Sequence, residues 1–301
     1  PQSDAAFEKL MQETGLPAGC FQNLYATRDQ IETIINDPRV QGVALTGSEG
    51  AGALVAAQAG RALKKSTMEL GGSDAFIVLD DADLDKAVKW AVFGRHWNGG
   101  QVCCSSKRII VHESIHDAFV RRYTEGVAQL KAGDPMEAST TLAPLSSQQA
   151  ADDVRRWIDE AVAHGATATV IGAEVPRQGA FVRPVLLTGV KPGNPVYHHE
   201  FFGPVSMIFK VKDEEEAIRL ANDSPFGLGG SVFTRDIERG KRVAAQISTG
   251  MVYINHPTAV KADLPFGGIR RSGYGRELIG LGLKEFVNHK LVGVTDIDGA
   301  F

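Results

Sequence analysis

Helix-like and strand-like segments alternate along the first seventy residues, and this rhythm restricts the fold to a parallel sheet covered by helices. "SDAAFEKLMQETG" begins with Ser3 as a helix cap, sets Ala6, Phe7, Leu10 and Met11 on one face and ends at Gly15. A short apolar run from Phe21 to Tyr25 follows, then the helical "DQIETIIND", then "VQGVALT" as a buried strand. A doubly wound sheet normally needs an earlier strand and helix for its first crossover, whereas this chain opens in a helix; further sequence is expected upstream.

Past "GGSDAFIVLDDADLDKA" the character changes to a larger α/β region with longer helices. "DADLDKAVKWAVFG" carries Leu84, Ala87, Val88, Ala91 and Val92 at helical spacing behind aspartates suited to capping. Further helices are predicted at "SIHDAFVRRYTEGVAQL", "QQAADDVRRWIDEAVAHG", "DEEEAIRLAND" and "IERGKRVAAQI", with strands at "RIIVHE", "GMVYIN" and "KLVGVTDI". The acidic "KDEEEAIRL" reads as a helix start, where carboxylates complement the dipole.

With 301 residues, 43% of them hydrophobic and 23% charged, the chain has globular proportions and room for about two cores. A formal charge of -4 with dispersed Lys and Arg argues against a nucleic-acid partner. No apolar run approaches a bilayer span, and "PQSDAAFEKL" lacks the features of a signal peptide. Three cysteines, two of them adjacent, fit a reducing compartment, so a cytoplasmic protein is expected.

Three stretches could carry chemistry. "VALTGSEGAG" runs from an apolar strand into a glycine-rich turn before the helix "ALVAAQAGRAL"; such a turn can offer amides to a phosphate, or be an ordinary tight turn. "TMELGGSD" places Glu69 at the end of an apolar stretch, as a desolvated base or as a solvated strand end. "NGGQVCCSSKR" sets Cys103 and Cys104 side by side in a loop before a strand. A catalytic thiol needs partial exposure and a stabilised thiolate, and adjacent residues point different ways, so at most one faces a given cleft. Zinc spacing leaves residues between thiols, the histidines form no ligand pattern, and His198 and His199 read as loop residues; no metal site is expected.

Taken in order, six stretches resemble the aldehyde dehydrogenase superfamily: "LTGSEGAG" its TGSxxxG turn, "MELGG" its ELGG, "GQVC" its GQxC, "EFFGPV" its ExFGPV, "NDSPFGLGGSVFT" its Nxxx[YF]GL, and "LPFGGIRRSGYGREL" its PFGGxKxSGxGRE. The resemblance implies an α/β fold in which residues 1–70 are the C-terminal part of a Rossmann-like dinucleotide-binding domain. Residues 71–286 are then the catalytic thiol domain, and 287–301 a terminal strand that could serve oligomerisation. It implies Cys103 as nucleophile and Glu69 as general base. Gly47, Ser48, Gly52, Leu70, Glu200 and Phe202 fall at NAD or NADP, and Trp97, Val102, Cys104 and Phe266 in the substrate pocket.

Within the superfamily, "ELGGSD", "AGCFQ" and "RRSGYGREL" are most similar to bacterial succinate-semialdehyde dehydrogenases. NAD- or NADP-dependent oxidation of an aldehyde, with succinic semialdehyde as the candidate, to a carboxylic acid through a Cys103 thiohemiacetal and thioester is therefore expected, in a homodimer or homotetramer, with neither membrane nor nucleic acid as partner. Some members of that activity class use an arginine to hold a substrate carboxylate where this chain has Trp97. The resemblance covers the family's C-terminal two-thirds, so its oxyanion-hole asparagine and adenosine-contacting lysine have no counterpart here. A CoA-acylating enzyme, or an inactive scaffold, is the alternative.

Overall fold

The computed structural model describes residues 2–299; Pro1, Ala300 and Phe301, at the ends of the first and third segments expected above, lie outside the described residues. Two compact units divide the chain. One draws on the chain up to Val43 and on Leu54–Ser66, the other on Ala44–Ala53 and on everything from Thr67.

In the first unit lie helices α1 (Gln2–Glu13) and α2 (Arg28–Asn36). Thr27 and Gln30 form a reciprocal capping box at the start of α2, and Ile35 turns inward. The apolar face of α1 is only partly covered: Phe7 meets Phe21 edge-on, ring centroids 5.4 Å apart, and Phe7 and Leu10 stay about half exposed. Strand β1 (Gly42–Thr46), helix α3 (Glu49–Arg61) and strand β2 (Lys65–Glu69) run on into the second unit.

The second unit is built on a seven-stranded sheet. Its members are β3 (Ala75–Val78), β4 (Arg108–His112), β5 (Thr167–Val170), β6 (Val185–Thr188), β7 (Val205–Val211), β9 (Gly230–Phe233) and β10 (Tyr253–Ile254), in the order β10-β9-β3-β4-β7-β6-β5. All neighbours are parallel except β5 against β6. Short β8 (Phe226–Gly227) pairs with β11 (Ile269–Arg270), and β12 (Gly273–Tyr274) pairs with the end of β2.

Both faces of the sheet are covered, which explains why its strands read as unbroken apolar runs rather than alternating ones. Phe76 and Val78 of β3 and Ile109 and Val111 of β4 pack against α4 (Leu84–His96) and α5 (Glu113–Val127). Ala75, Ile77 and Ile110 point the other way, onto α7 (Glu214–Asn222) and α8 (Ile237–Ala244). Helix α6 (Gln148–Ala163) covers β6 and β7 through Ala151, Val154 and Ala161. Asp83, Ser147, Asp213 and Asp236 each accept an N–H in the first turn of α4, α6, α7 and α8. The acidic run is thus the start of α7, as its composition suggests.

Beyond α9 (Ile279–Glu285), the described residues 287–299 of the terminal strand expected over 287–301 join no ladder within this chain. A strand needs a neighbouring edge, and Leu291, Val294 and Ile297 are more than nine-tenths exposed. Among the described residues no helix is long and apolar enough to cross a membrane.

Arg95 locks α4 to the loop ahead of β7. Fully buried, it donates to the carbonyls of Val205 (2.6 Å), Phe201 (2.8 Å), Gly100 (3.2 Å) and Gly203 and to the Ser105 hydroxyl. Burial lowers its pKa to about 10. An apolar side chain here takes the Arg95 donors from four carbonyls, of which Gly203 keeps the Val205 N–H (2.8 Å), so Arg95→Met is expected to cost more than about 3 kcal/mol in urea unfolding. A loss under about 1 kcal/mol would show that these carbonyls find other partners.

Candidate active site

The two cysteines sit just beyond a sharp turn. After α4 the backbone passes through Asn98, Gly99 and Gly100, all with positive φ (53°, 63° and 78°). Glycine is needed at 100 twice over, because a Cβ there would also come within 2.5 Å of the Gly203 carbonyl. Gln101 then staples the turn: its Nε2 donates to the Asn98 (3.0 Å) and Pro144 (3.3 Å) carbonyls, while its Oε1 accepts the Ser146 N–H at 2.7 Å. The glutamine of "GQVC" therefore holds loop geometry, which its place in a motif did not reveal.

The two adjacent side chains differ in exposure. Cys103 is partly exposed, whereas Cys104 is 1% exposed among Leu228, Phe266, Val102 and Met251. Cys104, expected to line the substrate pocket, is enclosed by these apolar neighbours and by Cys103. The Cys104 thiol donates to the Cys103 sulfur and lowers its pKa, helped by the Lys107 charge and the Cys104 N–H; burial and Asp74 oppose. Cys104 itself is pushed far up, by that same hydrogen bond and by burial.

Glu69 ends β2 and is 4% exposed, with neither carboxylate oxygen hydrogen-bonded. Desolvation, aided by Glu277 and Cys103 and opposed by Arg276, raises its pKa to about 8. Its backbone is held from both sides: the Glu69 carbonyl accepts from Gly47 (3.0 Å), and the Leu70 N–H donates to Ser272 (3.0 Å). The Ser272 hydroxyl donates to the Gly71 carbonyl at 2.6 Å and accepts the Gly227 N–H at 3.1 Å. Three of the quoted motifs thus meet on one serine that motif reading did not single out.

The residues expected at a cofactor form two groups. Gly47 and Ser48 are exposed ahead of α3, with the Ser48 hydroxyl accepting the Ala51 N–H at 3.3 Å. Gly52 is buried instead, because the Leu70 side chain occupies the space a Cβ would need. Glu49, whose charge would repel a phosphate at this helix start, is paired through both oxygens with Arg271 (2.7 and 2.9 Å), which lowers its pKa. The second group surrounds Glu200. Its Oε1 accepts the Gly72 N–H at 2.9 Å and lies 3.0 Å from Lys107 Nζ, and its Oε2 fills the room left by the missing Cβ of Gly71. Phe202 is 46% exposed, with the Lys107 ammonium 5.8 Å from its ring centroid.

Of the remaining pocket residues, Trp97 is partly exposed and stacks on Phe93, ring centroids 6.0 Å apart. Phe266 is buried beside Cys104 and Leu228, so it backs the loop rather than opening onto solvent. Arg95, the nearest basic residue before the cysteines, has its donors committed to carbonyls and cannot serve as a carboxylate clamp. Among the described residues no cluster of His, Cys, Asp or Glu could hold a metal ion.

Set against known proteins, the chain is 51% identical to the succinate-semialdehyde dehydrogenase [NADP(+)] of Deinococcus radiodurans over 97% of its length, spanning 61% of that protein. It superposes with a TM-score of 0.95, at 50% identity, on the crystal structure of succinic semialdehyde dehydrogenase from Streptococcus pyogenes in complex with NADP+, covering 98% of this chain and 65% of that one. A salicylaldehyde dehydrogenase from Pseudomonas putida G7, complexed with salicylaldehyde, gives 0.93 at 35% identity, covering all of this chain and 63% of that one. The chain therefore spans under two-thirds of the length of these relatives. Because the model of the aldehyde dehydrogenase family also matches residues 1–292, the α/β chain with its buried glutamate and partly exposed cysteine belongs to that family.

Proposed function

We propose that this chain carries the reacting groups of an NADP- or NAD-dependent dehydrogenase that oxidises succinic semialdehyde to succinate. The observation that carries the reading is the pairing of a partly exposed thiol of lowered pKa, Cys103, with a buried and unpartnered carboxyl, Glu69. The named activity of the Deinococcus relative and the cofactor of the Streptococcus structure support its substrate and cofactor parts.

The residues present suit a nicotinamide cofactor. Exposed Gly47 and Ser48 at the start of a 13-residue helix suit a pyrophosphate, with Glu49 already neutralised by Arg271. Glu200 in the recess over Gly71 suits ribose hydroxyls, and Phe202 suits packing beside the ring. When bound, that group supplies the hydride acceptor.

The chain's own residues account for the remaining steps. The Cys103 thiolate adds to the aldehyde carbon, and negative charge gathers on the former carbonyl oxygen, where backbone donors such as the Cys103 N–H can meet it. Loss of hydride from that carbon leaves a thioester on Cys103. Glu69, as carboxylate, takes a proton from water while the oxygen attacks the thioester, releasing the acid and restoring the thiolate. A base at this place favours water over CoA as acyl acceptor.

The test follows nicotinamide reduction with NADP and with NAD, offering succinic semialdehyde beside an uncharged aliphatic aldehyde. Faster reduction with NADP and the semialdehyde is expected. Equal rates with both aldehydes would remove the substrate assignment, and acyl-CoA formation would remove the hydrolytic one.

A further inference from the structure

We propose that Lys107 is a positioning residue of this site, one buried ammonium that fixes the Cys103 loop and sets its charge against the carboxylate of Glu200. The proposal rests on the reading of Cys103 as nucleophile and Glu200 as cofactor ligand, and adds a residue that neither motif contains.

Lys107 is 0% exposed. Its Nζ donates to the Val102 and Cys103 carbonyls, each at 2.7 Å, and lies 3.0 Å from Glu200 Oε1. Three donors meet three acceptors, so the ammonium is fully satisfied. A buried cation is costly unless paired and hydrogen-bonded in this way, and removing either partner leaves the other uncompensated. The same carboxylate oxygen takes the Gly72 N–H, and a Cβ on Gly72 would lie 2.6 Å from the Cys103 carbonyl. One charge thus gathers the loop of the thiol, the glycines after Glu69 and the "EFFGPV" segment.

Two carbonyls pinned on one ammonium leave the Cys103 peptide little freedom, so both its N–H and its side chain keep their direction. The charge also acts on the sulfur. Facing Cys103 are the Cys104 thiol, Lys107, Asp74 and Glu69, and only Lys107 is cationic. Asp74 is buried, its carboxylate taking the Thr258 hydroxyl (2.8 Å) and the Gly229 N–H (3.0 Å). Glu200 tempers Lys107 from the far side.

These placements predict opposite signs for two substitutions, which a merely structural lysine would not produce. Alkylation of Cys103 by iodoacetamide is followed against pH in the purified protein without cofactor, the modified residue being located by fragment-ion mass spectrometry. Lys107→Met is expected to raise the midpoint by about one pH unit or more, and Glu200→Gln to lower it. A midpoint unmoved in folded K107M, or moved the same way in both variants, overturns the proposal. Should K107M fail to fold, E200Q decides alone: a fall supports the proposal, and no change or a rise overturns it. Turnover of Cys103→Ala tests the underlying functional reading separately, since alkylation reports the thiol whether or not the protein turns over.

Discussion

Replacing Cys103 by alanine is expected to lower nicotinamide reduction by about 10⁴-fold or more, because no other exposed thiol stands in that loop to form the covalent intermediate. Cys104→Ala should behave differently. It removes the S–H donor that helps Cys103 ionise, so the thiol midpoint rises and the rate near pH 7 falls by about tenfold or less. The lost rate should return as pH rises, because the Cys103 thiol still ionises at more alkaline pH without that donor. Steady-state rates of both variants across pH 6 to 9 check this. An equal loss in both, persisting at alkaline pH, would mean that the buried thiol does more than support its neighbour.

Glu69→Gln is expected to separate the two halves of the reaction. A burst of about one equivalent of reduced nicotinamide should survive, followed by turnover slowed by about 10²-fold or more, because the amide cannot take a proton from water. In the unmodified protein the carboxyl titrates near 8, and the base is its deprotonated form. Acid release should therefore fall about tenfold per pH unit below about 8. Stability carries the opposite sign. Folding raises this pKa from 4.5, so the folded state favours the protonated carboxyl; its contribution is fully present below 4.5 and is lost as pH rises toward 8. Glutamine does not titrate, so the Tm of the variant should exceed that of the parent by a gap that widens from pH 5 to pH 9. Stopped-flow bursts and thermal melts read the two effects independently, and a burst-free variant with unchanged melts would remove Glu69 from both roles.

Much of this site could be read before any coordinates. The order of "MELGG", "GQVC" and "EFFGPV" pointed to Cys103, Glu69 and Glu200 together, and the capped, amphipathic helices of the second unit stand where periodicity puts them. Strands were harder. β3, β7 and β9 are apolar on both faces, and such runs carry no period that separates a buried strand from a buried helix. The segment "KLVGVTDI" has strand composition, but composition does not supply a partner edge. Lys107, Gln101, Arg95 and Ser272 were missed because each acts on backbone carbonyls and amides distant in sequence, a role that leaves no spacing to recognise.

Where side chains are absent at this site, neighbours close in: the Glu200 carboxylate on Gly71, the Cys103 carbonyl on Gly72, the Gly203 carbonyl on Gly100. Each contact couples two segments, and at Gly72 and Gly100 the neighbour is backbone, so drift there must be matched by a backbone shift rather than by a smaller side chain. Mutational tolerance is therefore uneven over a few ångströms. Replacements at Trp97 and its stacking partner Phe93, both exposed, should be tolerated better than a Cβ at any of these glycines.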